Sequence, residues 1–173
     1  MSSKTTGDKN IWKAVALGWA MAVLVATVVS PTLGLLYGLF AGLPPIERGE
    51  LTATVLVISV VSGFLSYLVG GYVAAKMARH SGGKHGALTA ILGLIIGVHM
   101  TIVLALFGLV FPESFVVPPA SFGFADVVPP VSFGLSGTAL LAGFILFLVN
   151  LFGGFVGGKL GEPSYPGVKR LAP

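Results

Sequence analysis

Hydrophobic residues in this chain form four long runs, and most charged residues lie in the segments between them. The stretches without any Asp, Glu, Lys or Arg are 14–46, 51–75, 85–112 and 127–158. Each one exceeds the roughly 18 apolar residues that mark a helix long enough to cross a bilayer. The pattern therefore predicts four transmembrane helices, at about 11–42, 51–79, 84–111 and 132–161.

The segments outside these helices are polar or rich in proline. Residues 1–10 lack apolar periodicity and residues 162–173 follow the last helix, so both are predicted as tails. The loop between the third and fourth helices contains VVPPASFG and VVPPVSFG, whose paired prolines favour extended backbone over helix. We therefore expect residues 1–173 to form a single transmembrane domain with this loop as its longest connection.

One helical hairpin is written twice along the chain. LVGGYVAAK in the second helix matches LFGGFVGGK in the fourth, and SGFLSYLV matches AGFILFLV just before it. Because two helices return the chain to its starting side, the two halves would be parallel and related by an axis along the membrane normal. The predicted fold is an all-α membrane protein in which four transmembrane helices form two parallel helical-hairpin repeats.

The glycines and lysines of this repeat also carry a resemblance. They form two GG-x-x-x-x-K motifs, made by Gly70, Gly71 and Lys76 and by Gly153, Gly154 and Lys159. The motif resembles that of a group of uncharacterised small four-helix bacterial integral membrane proteins. The resemblance covers both hairpins and implies the four-helix fold, but it implies no activity.

Small residues recur at every fourth position along the helices. In lipid, such lines let helix backbones approach closely, although glycine is also common in membrane helices for other reasons. In the first helix the line runs from Gly18 to Gly42, and the fourth helix ends with small residues on two adjacent faces. The residues predicted to lie at helix contacts are Gly34, Gly38, Gly70, Gly71, Gly153, Gly154 and Gly157.

The positions of the basic residues predict the orientation. Only 9% of residues are charged and the mean hydropathy is +0.97, as expected for a membrane protein. If the chain crosses four times, nine of its ten basic residues lie on one side, which the positive-inside rule assigns to the cytoplasm. We therefore expect a protein of the cytoplasmic (inner) membrane with both termini inside. Lys76, Arg79 and Lys84 would bind anionic lipid headgroups.

The net charge of +4 does not indicate a nucleic-acid partner, because the basic residues flank membrane spans. The chain has no cysteine, which excludes disulfides and thiol chemistry. Its one glycine-rich basic stretch, SGGKHG, lacks the Ser or Thr that follows the lysine of a phosphate-binding loop. We expect no enzymatic activity, no cofactor and no metal site.

Polar residues inside the predicted spans are the remaining candidates for function. They are His99, Asn150, Ser62 and Ser66. Each needs a partner in lipid, and an interhelical hydrogen bond is the simplest one. An imidazole can also titrate or bind a metal, although a single histidine without acidic neighbours makes a poor metal site.

Two functions are consistent with these features. The first is a structural or interaction role in the membrane, with the lipid bilayer, a second copy or other membrane proteins as partners. The alternative is a small oligomeric transporter or channel with a polar path near His99 and Asn150. A water-accessible cavity around His99 would favour transport, whereas a dry, closely packed bundle would favour the structural role.

Overall fold

The computed structural model describes residues 5–41, 53–78, 81–110 and 137–162, and four α-helices account for nearly all of them. These helices are α1 (Thr5–Ala41), α2 (Ala53–Ala78), α3 (Gly82–Val110) and α4 (Gly137–Gly161). The described ranges contain no strand. Each helix includes a segment long and apolar enough to cross a membrane, namely Ile11–Phe40, Leu56–Ala78, Gly82–Met100 and Leu141–Gly161. The prediction of an all-helical protein with four membrane-spanning helices is confirmed.

The first helix begins earlier than predicted. Residues 5–10 are helical, whereas the helix was predicted to begin at residue 11, which is where the apolar span begins. The physical reason is that extending an existing helix adds one hydrogen bond for each residue fixed, and the segment contains no proline to stop it.

The other helix boundaries lie within a few residues of the predicted ones. The described part of α4 starts at Gly137, and the predicted start at residue 132 lies outside the described residues. At the start of α3, Ser81 has a φ of 50°, and its carbonyl oxygen accepts hydrogen bonds from the backbone N–H groups of Lys84 and His85. The predicted proline-rich loop, Arg79 and the C-terminal tail beyond residue 162 lie outside the described residues.

Pro31 lies inside α1 without ending it. A proline removes one backbone hydrogen bond from a helix, and nearby Ser or Thr side chains often compensate in membrane helices. The hydroxyl of Thr32 donates to the carbonyl oxygen of Val28 at 2.6 Å, and that of Thr27 donates to Leu24 at 2.7 Å. The helix continues through the proline, and these two hydroxyl bonds go to the carbonyls of Val28 and Leu24, not to that of Thr27, which loses the N–H donor that Pro31 lacks.

The helices form a bundle in which neighbours in sequence run antiparallel. A Cβ built on Gly18 of α1 would lie 2.7 Å from the carbonyl oxygen of Gly70 and 2.7 Å from the Cβ of Ala74, both on α2. In the same way, Gly82 of α3 meets the carbonyl of Gly158 on α4. Both α2 and α3 contact all three other helices, and the most extensive contact is between α2 and α4.

The contact between α2 and α4 is parallel and in register. In the last turns of α4, every fourth residue is a glycine that faces a backbone carbonyl of α2. Each of these carbonyls lies one turn further along α2 than the one before it. The pairs are Gly153 with Phe64, Gly157 with Leu68, and Gly161 with Tyr72. A Cβ on Gly153 would lie 2.7 Å from the carbonyl oxygen of Phe64, a distance that real Cβ atoms essentially never show.

A second face of α4 packs against α3 through glycines next to the first set. Gly154 meets the carbonyl of Gly86, and Gly158 meets that of Gly82. Gly154 also contacts Gly71 of α2. The expectation that the end of α4 can be contacted on two adjacent sides agrees with this geometry, and Gly70, Gly71, Gly153, Gly154 and Gly157 all lie at helix contacts.

The packing prediction is wrong for Gly34 and Gly38 within the described part of the chain. A Cβ built on either residue meets no atom within 4 Å. At this level α1 is peripheral, since Leu35, Leu39 and Phe40 are 70%, 78% and 86% exposed. The spacing of small residues indicates a helix face, but the neighbouring helix has already diverged from that face.

The structure predicts different effects of alanine substitution at a glycine that contacts another helix and at a glycine that does not. Gly157→Ala should lower the free energy of unfolding by about 1–3 kcal/mol, because its Cβ would overlap the Leu68 carbonyl and force the helices apart. Gly34→Ala, the matched control, should leave stability unchanged or slightly higher. Thermal unfolding in detergent, followed by circular dichroism, measures both. Equal effects of the two substitutions would show that the α2–α4 contact is not close.

Candidate functional site

The charged residues whose side chains the structure describes all lie at one end of the bundle. We call this the basic end, and its lysines are Lys13, Lys76, Lys84 and Lys159. Lys76 and Lys159 lie in the last turns of α2 and α4, and Lys84 lies in the first turn of α3. Lys13 is level with them because Gly18, five residues later, already contacts Ala74. The predicted clustering of basic residues on one side is confirmed for these residues.

Each lysine of the basic end is exposed, and two of them have a defined neighbour. The ammonium group of Lys76 lies 5.4 Å from the centroid of the Tyr72 ring. Lys159 Nζ lies 3.3 Å from Glu162 Oε2, with 59% and 34% of the two side chains exposed. Exposed ion pairs and cation–π contacts of this kind contribute little stability. The lysines are therefore available to bind a group outside the bundle.

The last turn of α4 lies over the first turn of α3. A Cβ on Gly83 would lie 3.2 Å from Cγ and Cε of Lys159, and one on Gly82 would lie 3.2 Å from the Cβ of Glu162. The two glycines thus make room for the lysine and the glutamate. This places the aliphatic part of Lys159 against Gly83, the residue that precedes Lys84.

The serines predicted to be functional are buried between helices, and the hydroxyl of Ser66 bonds within its own helix. Ser62 and Ser66 are both 0% exposed, and the Ser66 hydroxyl donates to the Ser62 carbonyl at 2.7 Å. Thr89, which sequence reasoning did not single out, behaves in the same way, since its hydroxyl donates to the carbonyl of His85 at 2.9 Å. Hydroxyls bonded to the preceding turn in this way present little polarity to a pathway.

His99 and Asn150 do not share a site. Asn150 is 6% exposed, whereas His99 is on the exposed surface of α3 and its Nδ1 donates to the carbonyl of Ile95 at 2.8 Å. Because Gly154 is level with Gly86, Asn150 is level with Ala90, nine positions (99 − 90) before His99. At about 1.5 Å per residue the two side chains are separated by about 13 Å along the bundle. Within the described residues the two side chains therefore do not meet, and a polar path near His99 and Asn150 stays a prediction.

Sequence reasoning missed an aromatic cluster in the core. Tyr67 is 1% exposed and its hydroxyl lies over Gly93, where a Cβ would overlap it. Trp19 packs on the same glycine, and its Nε1 finds no hydrogen-bond acceptor in the described part of the chain. Ala22, Ala26 and Ala90 complete the cluster. The sequence alone does not show that a glycine lies opposite two aromatic residues, because this depends on which residues of neighbouring helices lie at the same depth.

His85 was also missed as a buried residue. It is 4% exposed, and its Nδ1 donates to the carbonyl of Ser81 at 3.0 Å. This bond helps to close the first turn of α3. Among the described residues, no group of three or more His, Cys, Asp or Glu side chains could hold a metal ion.

Comparisons with protein-family models, with curated proteins and with solved structures found no match to this chain. Function must therefore be argued from the bundle and its basic end.

The two intramembrane candidates should respond differently to replacement by leucine. Asn150→Leu should lower the free energy of unfolding by about 0.6–1.7 kcal/mol, the range for polar contacts between membrane helices, because buried polar groups are normally bonded. His99→Leu should have almost no effect, since the ring is exposed and bonds only to its own helix among the described residues. Unfolding by increasing mole fractions of sodium dodecyl sulfate measures both. A larger loss for His99→Leu would show that the ring packs against another molecule.

Proposed function

We propose that this chain is a non-enzymatic, multi-pass protein of the cytoplasmic membrane with a structural or interaction role. The observation that carries the proposal is the glycine-mediated contact of all four helix backbones next to the basic end. Helices that approach at their backbones have little freedom to slide or separate, because each shift creates overlaps or loses dispersion contacts. Such a bundle holds its ends at fixed positions for a partner.

The polar residues support this role over the transporter alternative. Ser66, Thr89 and His99 all bond to carbonyls of their own helices, and His99 lies outside the bundle. A transport path needs polar groups that face one another or a wet cavity near the middle of the membrane. Apart from buried hydroxyls, His85 and Asn150, the described core consists of apolar and aromatic residues, among them Tyr67 and Trp19.

The orientation completes the proposal. The positive-inside rule favours a cytoplasmic basic end, with both termini and the α2–α3 hairpin on that side. Lys76, Lys84 and Arg79 then lie at the anionic inner leaflet, where each basic residue contributes about 1 kcal/mol of attraction. The partners are the lipid bilayer and a second copy or other membrane proteins, and not nucleic acid.

We also propose that the bundle consists of two parallel hairpin repeats of the GG-x-x-x-x-K type. Gly71 and Gly154 occupy matching positions of the two hairpins and contact each other. Two matched residues can touch only where they lie near the axis that relates the halves. The contact therefore supports an axis between α2 and α4, along the membrane normal.

Single cysteines test the orientation, because the chain contains none of its own. Cysteine at Ser81, in the α2–α3 hairpin, should react with a membrane-impermeant maleimide only after the cells are permeabilised. Cysteine at Glu47, in the first loop, should react in intact cells. Labelling of Ser81→Cys from outside would overturn the proposed orientation.

Liposomes test the choice between a structural role and transport. Vesicles that contain the purified protein should retain imposed gradients of H⁺, K⁺ and small neutral solutes as long as protein-free vesicles do. Folding in the vesicles is checked by circular dichroism, and an added ionophore serves as the positive control. Faster loss of any gradient with the wild-type protein would contradict the structural role.

A further inference from the structure

The exposed side of the α3–α4 contact combines an apolar surface with a basic one. Phe155 lies four residues before Lys159 on α4, is 43% exposed, and packs against Gly83. Phe152, which is 60% exposed, lies three residues before Phe155, and its ring stacks on that of Phe64 in α2 with the ring centroids 6.2 Å apart. Towards the end of the bundle, the exposed surface of α4 therefore changes from two phenylalanines to Lys159, which lies against Gly83, the residue before Lys84.

This order of side chains matches the order of groups in a phospholipid. Acyl chains lie beside apolar residues inside the membrane, and the phosphate lies at the depth where lysine side chains reach the interface. A soluble phosphate would have no use for the phenylalanines. The pattern therefore favours a lipid ligand.

The ion pair of Lys159 with Glu162 is the second feature of this surface. The pair is half exposed and has a single 3.3 Å contact, which makes it weak and exchangeable. A lipid phosphate carries the same charge sign as the carboxylate and can take its place on the ammonium group. Glu162 would then remain in solvent at the end of α4.

We propose that the phosphate of an anionic lipid binds between the first turn of α3 and the last turn of α4, held by Lys84 and Lys159, and that Glu162 competes with it for Lys159. The site deepens the proposed function, on which it rests, because it names the partner of the basic end. It also adds Lys159 to the lysines assigned to lipid headgroups from the sequence.

The test uses the full chain in nanodiscs of phosphatidylcholine to which phosphatidylglycerol with the same acyl chains is added. Native mass spectrometry measures how much of each lipid stays on the released protein. The wild type should retain phosphatidylglycerol over phosphatidylcholine. Lys159→Gln should lower this preference about fivefold, the factor that corresponds to about 1 kcal/mol for one basic residue at a membrane surface. Glu162→Gln should raise it.

Lys13→Gln is the matched control, since Lys13 is also an exposed lysine of the basic end but lies on α1. It should change the preference much less than Lys159→Gln. Equal losses for the two variants would reduce the site to general surface attraction and overturn the proposal. An unchanged preference in Glu162→Gln would overturn the competition. The gain expected there also keeps the test decisive should Lys159→Gln fail to fold.

A free phosphate is distinguished by a separate measurement. Inorganic phosphate added to protein in phosphatidylcholine nanodiscs should not raise the unfolding temperature, whereas phosphatidylglycerol should. A rise with inorganic phosphate alone would overturn the lipid assignment. Nanodisc leaflets are equivalent, so these results do not depend on orientation in the cell. Failure of the cysteine labelling would therefore leave them intact.

Discussion

The close approach of helix backbones at glycine is the interaction on which the rest of this bundle depends. Between helices in lipid, burial of apolar side chains gives no net driving force, because the acyl chains are equally apolar. Association then requires dispersion contacts between surfaces that can come very near. In this protein the nearest surfaces are backbones, as at Gly154, whose α-carbon side faces the carbonyl of Gly86. Any side chain there would remove the contact.

The central position of α2 and the grip on α4 follow from this constraint. Gly153 and Gly157 present one face of α4 to carbonyls of α2, while Gly154 and Gly158 present the adjacent face to α3. A helix with two smooth faces can be held by two neighbours at once. The large residues are displaced to the outside, where Leu35, Phe152 and Leu160 face the lipid at no cost in hydrophobic energy.

Sequence alone was enough for the features that depend on local chemistry. Uncharged runs located the four spans, and paired glycines beside a lysine located the close contacts at the basic end. Sequence alone was not enough to show over what length two helices remain in contact. Gly34 continues the four-residue spacing of Gly18, yet only Gly18 has a neighbouring backbone, because α1 leaves the bundle before Gly34. The exposed position of His99 was not predicted for a related reason, since an uncharged run does not say which side of a helix faces inward.

The tight packing and the described charged residues of this protein lie at the same end of the bundle. A lysine on a mobile helix end attracts anionic groups only on average. At this end the glycines fix the turns that carry the lysines, and the Lys159 side chain itself lies against Gly83. The helix turns that carry Lys84 and Lys159 are thus held close to each other and to Phe155. Fixed spacing of this kind can favour one headgroup geometry over another, because less conformational freedom is lost on binding. The same glycines therefore account for the close helix contacts and for the close placement of the turns that carry the lysines.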